Sequence, residues 1–272
     1  MNKLQYPPGT IKRLCGKGFV DYTITRRLPK ILTNIEEHLE GQTAQTMLQA
    51  IIAGNPIDTA IFARPTDYWN NYLDQVTGLT WDDLSFFDLE FLFYHGLNSI
   101  AGYFDSGVDV FRQARQQALT RAIPDLVTGL VKLSELSGID LLRATLRGAL
   151  FANETDYSQL ITPQSNSSLC HERILLDQTE RWLLSLQQNL DKRDIHLIAD
   201  NAGHELCWDL VMVDAILRLF NDTRVIIHVK PWPMFVSDAL SIDVEETINN
   251  FLSNNLSDDM CIVGQRLQAA IE

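Results

Sequence analysis

The chain has 272 residues, of which 46% are hydrophobic and 21% charged. That balance suits a folded globular protein of about one or two domains and excludes a disordered one. Its 22 Lys and Arg face 35 Asp and Glu, a formal net charge of -13, so the average field repels nucleic-acid phosphates and anionic membranes, and neither is an expected partner. A phosphate ester would be repelled as well, and a site for one must supply its own cation, whether a metal or placed Lys and Arg. Cys15, Cys170, Cys207 and Cys261 are scattered without CxxC spacing and read as reduced thiols. The start of the chain, with Pro7-Pro8-Gly9, lacks a basic flank leading into an apolar segment, and no apolar run reaches membrane-spanning length, so a cytoplasmic location is expected.

In chain order, Leu28, Ile31, Leu32, Ile35 and Leu39 repeat at helical spacing between Thr25-Arg26-Arg27-Leu28-Pro29 and Gly41. The pattern predicts further helices over Asp67–Val76, Phe86–Phe104, Val108–Thr120, Ile123–Leu136 and Asp140–Phe151, punctuated at Gly78, Gly107 and Pro124. A polar stretch, Asn153–Ser168, follows, and the domain boundary is expected there: residues 1–165 as a mainly helical region, 166–272 as an α/β domain. After an amphipathic segment, Glu172–Leu190, the runs Ile195–Ala199 and Arg224–Val229 read as buried strands, separated by a helix over Gly203–Phe220. Strand, helix and strand in one compact unit imply a parallel pair, and the expected fold is α/β: a helical N-terminal region packed on a C-terminal Rossmann-like α/β/α parallel-sheet domain.

Residues just past the carboxyl ends of parallel strands emerge on one sheet edge, where open α/β folds bind ligands. This places Asp200-Asn201-Ala202-Gly203-His204-Glu205 beside Lys230 through Asp238. Two carboxylates and an amide oxygen form a hard donor set suited to Mg²⁺ or Mn²⁺. Gly203 lets backbone approach a ligand, the following helix start favours an anion, and Lys230 adds a compact positive charge. An Asp-Asn pair before a helix also serves simply as an N-cap and turn, and only the second segment on the same edge tilts the reading towards a site.

The segments Ile198–Leu206 and Lys230–Asp238, with Phe235-Val236-Ser237-Asp238 at the end of the second, resemble the two signature motifs of the damage-control phosphatases, also known as domain of unknown function 89. The Asp200-to-Asp238 spacing is similar too, as is Lys230 standing eight residues before the second Asp. Phe19–Thr33 resembles the start of the branch holding sugar-phosphate phosphatases and a proposed acidic-residue methyltransferase. Tyr68–Leu73, Glu90–Tyr94, Asp109-Val110-Phe111 and Leu150–Ser158 look like further landmarks, although His95 stands where an Arg is common. The resemblance implies Asp200, Asn201 and Asp238 as metal ligands, Asp200 and Asp238 as catalytic groups, and Asn153, Asp156, Glu205 and Lys230 as substrate contacts. It implies Mn²⁺ or Mg²⁺ as cofactor, with Co²⁺ or Ni²⁺ as further candidates, and hydrolysis of a small phosphate ester such as a fructose phosphate, water or one Asp being the nucleophile. Family members continue past the point matching Glu272 into segments that contact substrate phosphate, so truncation at the C-terminus is expected, with activity in question.

Two other classes compete. Carboxyl methyl transfer from S-adenosylmethionine is proposed within the resembling branch, but no Gly-rich loop follows an early strand. A non-catalytic metal-binding fragment would fit the missing C-terminal segments. His204-Glu205 and His171-Glu172 lack the second His of a zinc-protease helix, Gly16-Lys17-Gly18 is too short for a phosphate loop, and the basic cluster Lys12, Arg13, Lys17, Arg26, Arg27 and Lys30 reads as a solvated face.

Overall fold

The structure, a computed structural model, describes residues 4, 6–13, 17–39, 41–155, 174–189, 194–220, 223–253 and 257–271, with backbone alone at 153–155 and 189. It divides into two compact units, Met1–Arg112 and Gln113–Glu272. The boundary expected at 165/166 falls outside the described residues. The helices of residues 113–155, which the sequence reading grouped with those before them, belong to the second unit.

The first unit is helical. It comprises α1 (Gly18–Tyr22), a π-helical turn (Thr23–Arg27), α2 (Leu28–Ile35), α3 (Thr43–Ala53), α4 (Asp67–Val76), α5 (Phe86–Ile100) and α6 (Tyr103–Ser106), with short 3₁₀ turns between them. The helix expected from Leu28 thus runs on from helical structure beginning at Gly18. Pro29 has no N–H to give to the preceding turn, and just before it the Leu28 N–H reaches back to the carbonyl of Thr23, which widens the turn into π geometry. In α4 the Thr66 hydroxyl caps the Trp69 N–H at 3.4 Å, and Trp69, Tyr72, Leu73 and Val76 form the buried stripe. The basic cluster is not a uniformly solvated face: Arg13 donates to the carbonyls of Ile51 and Ile52 and pairs with Asp82 at 3.1 Å, and Arg27 pairs with Glu90 at 2.6 Å.

His95, on α5, is 1% exposed. Its ring stacks on Trp69 with centroids 3.4 Å apart, and its Nε2 lies 2.8 Å from the carbonyl of Ala63, to which the neutral tautomer donates. Burial lowers its pKa from 6.5 to about 4. The folded protein therefore refuses a proton that the unfolded chain accepts below pH 6.5, so the stability due to neutral His95 is full above 6.5 and lost as pH falls to about 4. The loss should amount to roughly 3 kcal/mol. Urea unfolding across this pH range should show a shallower decline in His95→Phe than in the parent, and equal slopes would refute the assignment.

The second unit holds α7 (Arg112–Leu133), α8 (Gly138–Thr155), α9 (Thr179–Asn189), β1 (Ile195–Ile198), α10 (His204–Leu219), β2 (Val225–His228), α11 (Ser241–Ser253) and α12 (Asp258–Ala270). The class is α/β but mostly helical. β1 and β2 pair in parallel, Ile195 opposite Val225 through Ile198 opposite His228. Pro124, expected to separate two helices, lies inside α7 instead. It and Thr120, whose carbonyl loses its amide donor, are both exposed, so water can satisfy the freed group.

α10 is the centre of this unit and is apolar nearly all round. Leu206, Leu210 and Val213 meet Leu119, Ile123 and Leu126 of α7, Phe251 of α11 and Val263 and Leu267 of α12. Its other side, Met212, Ala215 and Ile216, meets Leu141 and Leu142 of α8 and Leu183 of α9. Trp208 packs against two glycines. A Cβ at Gly129 would stand 2.6 Å from the indole, and one at Gly148 2.3 Å from it. Gly148→Ala should therefore cost about 1–3 kcal/mol through overpacking, measured as a lowered denaturant midpoint with unchanged slope. An unaltered midpoint would show that the indole has room to yield.

Candidate functional site

Because β1 and β2 are parallel, the loops that follow them, 199–203 and 229–240, leave the same edge of the sheet. Backbone hydrogen bonds join them. Ala199 N donates to His228 O at 2.9 Å, Ala239 N to Asp200 O at 2.8 Å and Ala202 N to Ser237 O at 2.7 Å. Lys230 N donates to Ala239 O at 3.0 Å, which closes the second loop on itself. Asn201 and Asp238 thus face each other in an isolated antiparallel bridge. Two residues 37 positions apart in sequence become backbone neighbours.

The side chains form one network. Lys230 Nζ lies 2.8 Å from Asp200 Oδ1. Asn201 Nδ2 donates to Asp200 Oδ2 and to Glu205 Oε2, each at 3.1 Å, and Asn201 Oδ1 accepts from Ser237 Oγ at 2.6 Å. Asp238 is 5% exposed and its Oδ2 accepts from Phe235 N at 3.2 Å. Burial raises its pKa; Lys230 opposes the shift and Asp200 adds to it. Burial likewise raises Glu205, while the Asn201 amide opposes this. One turn further along α10, Asp209 is pushed up to about 7 by burial, then by Glu205 and Asp200. In all three, burial is the first cause of the upward shift and the neighbouring carboxylates add to it, which is the kind of cost that a bound cation offsets.

Beneath the site, Arg115 of α7 and Asp243 of α11 form a buried ion pair at 2.8 Å, and Asp243 Oδ2 also accepts from Leu240 N at 2.8 Å. The pair anchors the return of the second loop, and Arg115 helps hold Asp238 towards its charged form. His204 is buried, with Nε2 3.1 Å from Asp125 Oδ2.

Five of the expected residues, Asp200, Asn201, Glu205, Lys230 and Asp238, fall in this neighbourhood. The Asn153 side chain and all of Asp156 lie outside the described residues. Ser237, Asp209 and Asp243 were not foreseen, and Arg115, in a stretch (residues 113–117) whose spacing reads as solvated helix surface, is instead buried because its guanidinium finds Asp243. Ser237 stood inside a recognised motif but carried no signal of its own, and the buried pair joins residues 128 positions apart. Among the described residues no group of three or more His, Cys, Asp or Glu side chains is arranged to hold a metal ion. The expected ligand set is two carboxylates and an amide oxygen, which is not such a group. No helix among the described residues is long and apolar enough to cross a membrane.

Gly203 ends the first loop with φ 81° and ψ −133°, a region that only glycine adopts without strain. A Cβ there would lie 2.9 Å from Ala118 Cβ and 3.2 Å from the Ala118 backbone carbon. Gly203→Ala should cost about 1–3 kcal/mol from backbone strain and more from the clash, read by thermal or urea unfolding. A variant as stable as the parent would mean that the turn is not held as described.

Residues 23–272 match the damage-control phosphatase ARMT1-like domain. Damage-control phosphatase ARMT1 of Xenopus tropicalis is 26% identical over 305 aligned residues, covering 92% of this chain and 69% of that protein. Its counterparts in Xenopus laevis and Danio rerio are 24% and 22% identical, each over 92% of this chain. With the family match beginning at Thr23 and extending to Glu272, the chain belongs to the damage-control phosphatase family and is, at that level, a hydrolase of phosphorylated metabolites.

Proposed function

We propose that this chain is a divalent-cation-dependent phosphatase of small phosphate esters, sugar phosphates such as fructose phosphates in particular. The observation that carries the reading is the bridge between Asn201 and Asp238, which sets Asp200, Asn201 and Asp238 on one sheet edge with Lys230 beside them. The βα unit that supplies this edge, with helices packed against a parallel pair, favours a Rossmann-like arrangement.

The donor set fits a hard cation. Two carboxylates and an amide oxygen suit Mn²⁺ or Mg²⁺, and Asp238 offers its carboxylate from a buried position against the Asn201 backbone. Asp200, Asn201 and Asp238 would hold the ion. When bound, it would supply the positive charge that a phosphate oxygen needs in a protein of net charge -13. Lys230 holds the Asp200 carboxylate in place, and the positive end of α10 points towards the Asp200–Gly203 segment, where an anion is favoured. Glu205 orients the Asn201 amide. The attacking group is water or one of the two Asp carboxylates.

Phosphate release from a panel of sugar phosphates, with Mn²⁺, Mg²⁺, Co²⁺ or Ni²⁺ supplied in turn, should be cation-dependent in the parent. Asp238→Ala should lower it at least about 100-fold, the upper end of what losing even an outer-shell partner costs. Equal activity in the variant would count decisively against the assignment.

A further inference from the structure

We propose that Ser237 is a positioning residue, whose hydroxyl aims the Asn201 amide oxygen at the cation. This deepens the cation-dependent reading and rests on it. An asparagine side chain next to a metal must present oxygen and keep its NH₂ away, yet the two ends have nearly the same shape, so hydrogen bonding alone decides their placement. The nitrogen end of Asn201 is fixed by two acceptors that cannot donate when ionised, Asp200 Oδ2 and Glu205 Oε2, each at 3.1 Å. The oxygen end is fixed from the opposite loop by Ser237 Oγ, at 2.6 Å.

The hydroxyl is itself held. The Ser237 carbonyl accepts from Ala202 N at 2.7 Å, so the serine backbone is tied to the residue that follows Asn201. Asn201 and Asp238 are bridged on its other side. Ser237 therefore reaches Asn201 from a fixed backbone, and only its χ1 rotation and hydroxyl direction are left for the hydrogen bond itself to settle. An amide oxygen has two lone pairs, and the hydroxyl takes one, which sets the direction of the other. Glu205 and Ser237 together hold the amide plane at both ends. If Asp200 turns an oxygen to a cation, its grip on the nitrogen end weakens, and the serine contact gains importance.

Mn²⁺ binding to this chain, followed by calorimetry or by the loss of the free-ion paramagnetic resonance signal, tests the idea without reference to turnover. Ser237→Ala should weaken Mn²⁺ binding by about tenfold or more, the range found for partners that orient a metal ligand. Ser237→Thr keeps the hydroxyl and should restore binding to within about threefold of the parent. Ser237 is exposed, so thermal unfolding without added metal should be unchanged in both, which separates orientation of the amide from a folding defect. Asn201→Ala serves as the reference for loss of the ligand. If Ser237→Ala binds like the parent while Asn201→Ala does not, the serine role is overturned and the cation site stands. Equal loss in Ser237→Ala and Ser237→Thr overturns it too, because the hydroxyl would then not matter. If the parent fails to bind Mn²⁺, or binds it no better than Asn201→Ala, the cation reading fails and this inference with it.

Discussion

The register of β1 against β2 is the constraint from which the site follows. Ile198 stands opposite His228, so the two chains leave the sheet level with each other, and the bonds from Ala199, Ala202 and Ala239 can form across the gap. A slip of one residue would reverse the faces of every side chain along a strand and carry Asn201 out of line with Asp238. Four-residue strands in a two-stranded parallel pair have little intrinsic hold on their register. The hold comes from the inner face, where Leu197, Val225 and Ile227 pack with the core built around α10, and from the loop bonds beyond the strand ends.

That placement has an electrostatic consequence. Asp200, Glu205, Asp209 and Asp238 gather near one helix start in a chain that is already acidic. The dipole of α10 and Lys230 offset part of this charge. Arg115 works from below, fully buried, with its charge shared between the Asp243 pair and the field at Asp238. A buried ion pair is a poor source of net stability, since desolvation consumes most of its attraction, but losing either partner leaves a bare charge in the core. Arg115 and Asp243 thus act chiefly to specify position. They allow one placement of the start of α11 against α7, and the second loop must close to suit it.

Much of this was legible in the sequence because it is written in local patterns. Periodicity marked α4 to the residue, and short apolar runs marked both strands to within a residue or two and α10 by its length. The strands, expected buried, are instead half-buried with Ile198 77% exposed, because a two-stranded pair has one face to cover and two open edges. The ligand-bearing segments were legible because they sit directly after those strands. Other features were not, since their causes are distant in sequence. Pro124 reads as a stop signal and becomes an interior residue only because its face of α7 meets water. α11 and α12 lie beyond the motifs and were not foreseen. Ser237 and Arg115 owe their roles to partners on another element, which composition and spacing do not reveal.

The position of α10 shows how packing remote from the loops reaches the site. Gly203 brings its first turn against Ala118 of α7, and a little over a turn later Trp208 occupies the space that Gly129 of α7 and Gly148 of α8 leave by having no side chain. Three close approaches, each needing glycine, locate the helix along and around its own axis. Protein interiors are packed too densely to absorb an added methyl at such contacts without movement. A shift of α10 would carry Glu205 with it, and Glu205 is bonded to the Asn201 amide at 3.1 Å. The glycines on α7 and α8 therefore help set the orientation of a side chain they never touch, and their cost in helix propensity is offset by the accuracy they give the strand-to-helix turn.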